Sequence, residues 1–183
     1  ALVLDVSYST LGSRQRRCGA LALAIALPYL AEALGAKPSL HWTCAPPHNS
    51  PALAFPRGQT NLARPLLEAL SERPELVLVV SDGHENDPPG GLSAVWRAFK
   101  RDLDPGDTVE LVHLNPAFDA EWLEPRRLDP GVCALGMRAP QDLEVAMVLS
   151  RFDRGRLDLT DLTDVLEARA ARLIDGCAHA QAA

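Results

Sequence analysis

Asp5, Ser7 and Ser9 alternate near the start of the chain and directly follow a short apolar run, Leu2–Leu4. An aspartate and two serines offer a carboxylate and two hydroxyls, which are all hard oxygen donors. Such donors suit Mg²⁺ or Mn²⁺ better than Zn²⁺, which favours His and Cys ligands. If the apolar run is a buried strand, the three side chains lie at and beyond its carboxyl end, where open α/β sheets bind ligands. The opening stretch therefore predicts a magnesium site.

The rest of the chain alternates apolar runs typical of buried strands with stretches of helical periodicity. This alternation predicts a doubly wound α/β fold, in which helices flank a mostly parallel central sheet. Strands are predicted over residues 2–4, 39–44, 76–80, 108–114 and 131–137, with a further short strand over 52–55, and helices over 18–34, 63–70, 92–103, 141–152 and 161–177.

Two later loops add oxygen donors at equivalent places. Thr60 lies in a Gly-containing turn that leads into the second predicted helix, and Asp82 follows the apolar run Leu76–Val80. Since the carboxyl ends of parallel strands meet at one edge of a sheet, these side chains are expected near Asp5. A plainer alternative is that Asp5, Ser9 and Asp82 only cap the helices that follow them, although caps do not explain Thr60.

The totals fit one globular domain. The 183 residues and 47% apolar content suffice for a substantial core, so residues 1–183 are expected to form a single domain that ends in helices over about 141–177. Because the first predicted strand starts at Ala1, we expect a fragment of a longer chain. The net charge of −6 argues against a broad cationic surface for nucleic acid.

The cysteines and apolar runs bear on the environment of the protein. The four cysteines are dispersed, which indicates buried free thiols rather than a zinc knuckle or a disulfide framework. The run Ala20–Leu34 contains Pro28 and Glu32 and is shorter than the roughly twenty apolar residues of a membrane span. We therefore expect no membrane partner and a cytoplasmic location.

The three loops together resemble the metal-ion-dependent adhesion site of von Willebrand factor type A domains. The resemblance lies in Asp5-Val6-Ser7-Tyr8-Ser9, in the threonine of Gly58-Gln59-Thr60-Asn61-Leu62 and in the aspartate of Val80-Ser81-Asp82-Gly83, and it extends over about residues 1–137. It implies a Rossmann-like fold and Mg²⁺ or Mn²⁺ as the bound ion. It also implies that Ser7, Ser9 and Thr60 touch the ion and that Asp5 and Asp82 lie close by, often acting through water.

The resemblance further implies a function. Few formal charges surround the ion in such sites, so it stays electrophilic and accepts a carboxylate from a protein partner. We therefore expect a divalent-metal-dependent protein-binding module without catalysis of its own.

A narrower resemblance within this family is to the A domain of Ro-type RNA-binding proteins. The layout of Gly58–Asn61 with Pro65, the stretch Val80–Asn86 and the late Val132–Gly136 segment are similar to it. The helical repeats that hold RNA in those proteins are absent from this sequence, and the stretch at Ser81–His84 is nearer the general A-domain pattern. Nucleic acid therefore enters only as an alternative, through a larger Ro-type assembly.

Charged residues beside the three loops are candidates for contact with the partner. Arg14, Arg16 and Arg17 lie where the dipole of the first predicted helix disfavours cations. They form either a basic collar that attracts an acidic partner or a solvated loop whose charges pair with nearby carboxylates. His84 and Glu85 follow the third loop and are expected at the rim as recognition residues. A metal-dependent hydrolase, with Glu85 as base and His84 as acid, is a further alternative, but no Ser-His-Asp or two-metal spacing accompanies them.

Overall fold

The computed structural model describes residues 1–12, 18–116, 126–137, 142–153 and 155–181. The chain forms two compact units, Ala1–Pro140 and Gln141–Ala183, and each is described by itself. The five predicted metal ligands all belong to the first unit. The prediction that the whole chain is one domain stays a prediction.

The first unit is built on a parallel sheet of five strands. The strands are β1 (Leu2–Leu4), β2 (Leu40–Trp42), β3 (Leu76–Val80), β4 (Glu110–Asn115) and β5 (Cys133–Gly136). They are ordered β2-β1-β3-β4-β5, and every neighbouring pair is parallel. Helices flank this sheet, so the doubly wound, Rossmann-like α/β fold predicted from the sequence is confirmed.

The strand order places a topological switch point between β1 and β3. The chain leaves β1 toward the edge strand β2, and it leaves β3 in the opposite direction, toward β4. The two connections diverge, and this opens a crevice at the carboxyl ends of β1 and β3. Leu4 pairs with Val80 at that end of the sheet, so the residues that follow each of them, Asp5 and Ser81, emerge side by side.

The described part of this unit contains three α-helices, α1 (Gly19–Ala33), α2 (Ala63–Ser71) and α3 (Gly91–Asp102). Alternate residues of the strands point to one face of the sheet and pack against α2 and α3. This core is fully apolar and contains Val3, Leu62, Leu66, Ala69, Leu70, Val77, Val79, Leu92, Trp96, Val109, Leu111 and Val132. Burial of these side chains fixes the starts of α2 and α3, which border the crevice.

The apolar run Ala20–Leu34 forms most of α1, and α1 is buried on one side only. Leu23, Ala24 and Leu27 are buried, whereas Tyr29 is 46% exposed. None of the helices in the described parts of the chain is long and apolar enough to cross a bilayer.

The predicted strand over 52–55 is wrong, because Pro51–Leu53 forms a single 3₁₀ turn. Pro51 has its φ preset for the first position of a helical turn, and Pro56 has no N–H to offer to a neighbouring strand. The cysteine prediction holds in part. Cys18 and Cys44 are free thiols, and both of them, like Cys133, are only half-buried.

The second unit contains α4 (Leu143–Asp153) and α5 (Leu159–Gln181). The start of α5 is set by two aspartates that cap each other. The N–H of Asp161 donates to Asp158 Oδ1 at 2.9 Å, and the N–H of Asp158 donates to Asp161 Oδ2 at 3.1 Å. This reciprocal cap explains why the helix begins before the predicted residue 161.

His113 lies in β4 and is completely buried, as expected for a packed strand residue. Its Nε2 is 2.9 Å from the carbonyl oxygen of Ser81, so this nitrogen carries the proton and donates. Its Nδ1 has no hydrogen-bond partner among the described residues. Burial lowers the pKa of His113 to about 4, against an ordinary value of 6.5, and the side chain is therefore neutral in the folded protein.

This burial predicts a pH-dependent stability. Between pH 6.5 and about 4 the unfolded chain protonates His113 and the folded chain does not. The free energy of unfolding should thus fall as the pH is lowered through this window, by up to about 3 kcal/mol at about 1.4 kcal/mol per pKa unit. Urea unfolding at about pH 7 and about pH 5 measures the loss for the wild type and for His113→Gln.

The variant His113→Gln should be less stable at neutral pH but should lose less stability on acidification. His48→Gln, which changes an exposed histidine, is the matched control and should behave as the wild type. An equal loss of unfolding free energy between about pH 7 and about pH 5 in all three proteins would show that His113 does not cause it.

Candidate metal centre

Three hydroxyls from two distant parts of the sequence meet at the carboxyl end of the sheet. Thr60 Oγ1 donates to Ser7 Oγ at 2.7 Å, Ser7 Oγ and Ser9 Oγ are 2.9 Å apart, and Ser9 Oγ is 3.5 Å from Thr60 Oγ1. The structure therefore brings together the three side chains that the sequence predicted to touch an ion. Ser7 and Thr60 are each only 1% exposed, and Ser9 is partly exposed.

The first loop is shaped by a 3₁₀ turn over Tyr8–Leu11, for which Ser7 is the N-cap residue. Ser7 O accepts both the N–H of Thr10 at 3.1 Å and the hydroxyl of Thr10 at 2.7 Å. This tight turn directs both serine side chains toward Thr60. The N–H of Tyr8 donates to Gly58 O at 3.2 Å and so joins the first loop to the second.

The backbone of Thr60 is held by the loop that follows β3. Its N–H donates to Asn86 Oδ1 at 2.9 Å, and its carbonyl oxygen accepts the N–H groups of Asn86 and Asp87, both at 3.2 Å. Three hydrogen bonds thus fix the peptide that carries the third hydroxyl.

Asp5 is the best-connected side chain of the site. Its Oδ1 accepts the N–H of Ser7 at 2.9 Å and lies 3.4 Å from Thr43 Oγ1, and its Oδ2 accepts the hydroxyl of Ser81 at 2.8 Å. The pKa of Asp5 is nevertheless raised, mainly because the carboxyl is buried, and the negative charge of Asp82 adds to the effect. The protein therefore holds a buried carboxylate whose charge the surrounding hydrogen bonds do not fully compensate.

Asp82 lies on the third loop and is 7% exposed. Its Oδ1 accepts the N–H of His84 at 3.0 Å, and its charge is close enough to Asp5 to raise the pKa of that residue. The carboxylates of Asp5 and Asp82 are thus placed near each other. Such a pair favours binding of a positive ion, because the ion relieves their mutual repulsion.

The capping alternative does not fit this geometry. α1 begins only at Gly19, with Cys18 at its N-cap, so neither Asp5 nor Ser9 caps it. The first amides of α3 are taken by Glu85 rather than Asp82: Leu92 N donates to Glu85 Oε1 at 2.9 Å and to Oε2 at 3.1 Å.

The donor set fits a small hard cation. It consists of three neutral hydroxyl oxygens in mutual contact and two nearby carboxylates, and such oxygens are the ligands that Mg²⁺ and Mn²⁺ prefer. Among the described residues no group of three or more His, Cys, Asp and Glu side chains could hold a metal. The case for a metal thus rests on the hydroxyls together with only two acids.

The residues predicted to contact a partner are Arg14, Arg16, Arg17, His84 and Glu85, and the structure describes only the last two. Arg14, Arg16 and Arg17 lie outside the described residues. The His84 side chain is exposed beside Asp82. Glu85 is half-buried, and its carboxylate also accepts the N–H of Leu62 at 3.3 Å, so it joins the start of α2 to the start of α3. A role of these residues in partner binding stays a prediction.

The sequence analysis missed the residues that orient the site. Ser81 and Thr43 bond to Asp5, Asn86 holds the backbone of Thr60, and Tyr8 lies between the two site serines with 63% of its surface exposed. The one signal in the sequence was for Ser81. It directly precedes Asp82 and follows β3, the strand that pairs with β1, and so it could be expected close to Asp5.

Two surface grooves of about 430 and 760 Å³ lie elsewhere in this unit. The first is lined by residues such as Pro74, Asp104 and Thr108 near the amino ends of β3 and β4, and the second lies between α2 and α3. Neither is lined by any of the five site residues.

Removal of the Ser81 hydroxyl should destabilise the protein. Ser81→Ala leaves Asp5 Oδ2 buried without its 2.8 Å donor, and loss of a hydrogen bond to a buried charged group costs about 1–3 kcal/mol. Ser71→Ala, in which an exposed helical serine loses its bond to Glu68 O, is the control and should stay within about 0.5 kcal/mol of the wild type. Urea unfolding at neutral pH measures both changes, and equal values would show that Ser81 does not support Asp5.

Comparison of the chain with models of protein families, with curated proteins and with solved structures gives no match.

Proposed function

We propose that this protein is a divalent-metal-dependent binding module, which captures an acidic side chain of a protein partner at a Mg²⁺ or Mn²⁺ site. The single observation that carries the proposal is the contact among the hydroxyls of Ser7, Ser9 and Thr60 at 2.7–3.5 Å. These residues come from two loops, so their convergence requires the fold as a whole. This arrangement is also what the resemblance to the metal-ion-dependent adhesion site implies.

In the proposal, Ser7, Ser9 and Thr60 would hold the ion directly, while Asp5 and Asp82 would act from beside it. A bound Mg²⁺ would supply an electrophilic centre that takes a carboxylate oxygen from the partner. The hydroxyls are neutral, so they leave more positive charge on the ion than a ring of carboxylates would. Ser81 and the N–H of Ser7 keep the Asp5 carboxylate in place.

The surroundings of the site support a macromolecular partner. Tyr8 lies between two of the proposed ligands and is 63% exposed, and tyrosine is enriched among residues that dominate protein interfaces. The proposal assigns no catalytic role to Glu85, because its carboxylate accepts N–H groups at the starts of two helices.

Thr60→Val tests the metal site directly. The valine has nearly the shape of threonine but lacks the hydroxyl, so Mg²⁺ should lose one ligand. Its affinity should fall at least about tenfold, which corresponds to about 1.4 kcal/mol of binding free energy. Calorimetric titration with Mg²⁺ measures the affinity. In the wild type, Mg²⁺ at about a hundred times its dissociation constant should raise the free energy of unfolding by about 2.7 kcal/mol.

The matched control is Thr108→Val, which removes a hydroxyl that donates to Asp104, remote from the site and beside the first groove. This variant should bind Mg²⁺ as the wild type does. Absence of divalent-ion binding to the folded wild type would overturn the proposal. Equal Mg²⁺ affinities of the two threonine variants would show that Thr60 is not a ligand of the ion.

A further inference from the structure

Arg126 is tied to the third loop of the site through its backbone. The amide nitrogen of Asn115, at the end of β4, lies 3.3 Å from the carbonyl oxygen of Arg126 and 3.4 Å from that of Asp82. One buried side-chain amide thus contacts both residues. The backbone of Arg126, from which its side chain extends, therefore lies next to the loop that carries Asp82.

The side chain of Arg126 lies over Gly83. Gly83 has a φ of +78°, a backbone conformation that favours glycine. A Cβ added there would lie 3.1 Å from both Cβ and Cγ of Arg126 and 3.2 Å from its Cδ. The glycine thus lets the aliphatic part of Arg126 pack directly on the residue that follows Asp82.

No carboxylate of the described residues neutralises the guanidinium of Arg126. Arg126 is exposed and forms no ion pair with any residue in the described parts of the chain. By contrast, Arg57, whose N–H donates to Val6 O near the first loop, stacks on the Phe55 ring and hydrogen-bonds to Ala45 O. Neither arginine forms an ion pair among the described residues, but these two contacts hold the guanidinium of Arg57, whereas the stem of Arg126 packs on Gly83 and leaves its charge for a partner.

We infer that Arg126 is a second anchor for the partner, and that it binds a second carboxylate of the acidic segment whose first carboxylate enters the metal site. The inference rests on the proposed function and narrows the class of partner to segments with at least two neighbouring acidic residues. The planar guanidinium suits this role because it can donate two parallel hydrogen bonds to one carboxylate. Packing of its stem on Gly83 limits the freedom that it would lose on binding.

The experiment compares two capped peptides of glycine and serine, one with a single aspartate and one with two aspartates separated by one residue. Binding to the protein in saturating Mg²⁺ is followed by NMR titration at low salt. The wild type should bind the two-aspartate peptide about threefold or more tightly than the other, and the preference should shrink as salt is added.

Arg126→Gln should abolish this preference and leave the Mg²⁺ affinity unchanged. Arg127→Gln is the matched control, because Arg127 is the next residue, is also exposed and also lacks an ion pair among the described residues; it should keep the preference. Equal affinities of the wild type for the two peptides, or an unchanged preference in Arg126→Gln, would overturn the inference alone. Absence of any Mg²⁺-dependent peptide binding to the wild type would overturn the proposed function and this inference with it.

Discussion

The parallel pairing of β1 with β3 is the constraint on which the rest of the structure depends. Leu4 pairs with Val80, and the ladder continues by one bond, from Asp5 N to Val80 O at 3.0 Å. This register places Asp5 beside Ser81, so the hydroxyl of Ser81 can reach the carboxylate of Asp5 across the strands. A shift by one residue would turn Asp5 to the other face of the sheet and separate the loops.

The site combines features that lower stability with contacts that hold them in place. Burial and the charge of Asp82 both raise the pKa of Asp5, so an ionised Asp5 costs folding free energy. Hydrogen bonds from Ser81 and the Ser7 backbone offset part of that cost. Neighbouring carboxylates that are kept together against their repulsion are more typical of a functional site than of a structural one. A cation between them and the hydroxyls would account for the arrangement.

Much of the fold, and the convergence of the three hydroxyls at one edge of the sheet, could be predicted from the sequence. Continuous apolar runs such as Leu76–Val80 specify buried parallel strands, and the next polar residue then falls at the sheet edge. The prediction failed where a short apolar run lay between prolines, as at Pro51–Leu53, because local turn geometry outweighed hydrophobicity. It also missed Asn115 and Arg126, since which side chain bridges two loops depends on distances that no local pattern encodes.

The central claim is that a divalent cation binds among the three hydroxyls, and a crystal structure grown with Mn²⁺ tests it most directly. The account predicts an anomalous difference peak within direct coordination distance of Ser7 Oγ, Ser9 Oγ and Thr60 Oγ1, with Asp5 and Asp82 close by. A map of well-ordered loops without such a peak, or with the ion bound elsewhere, would contradict it.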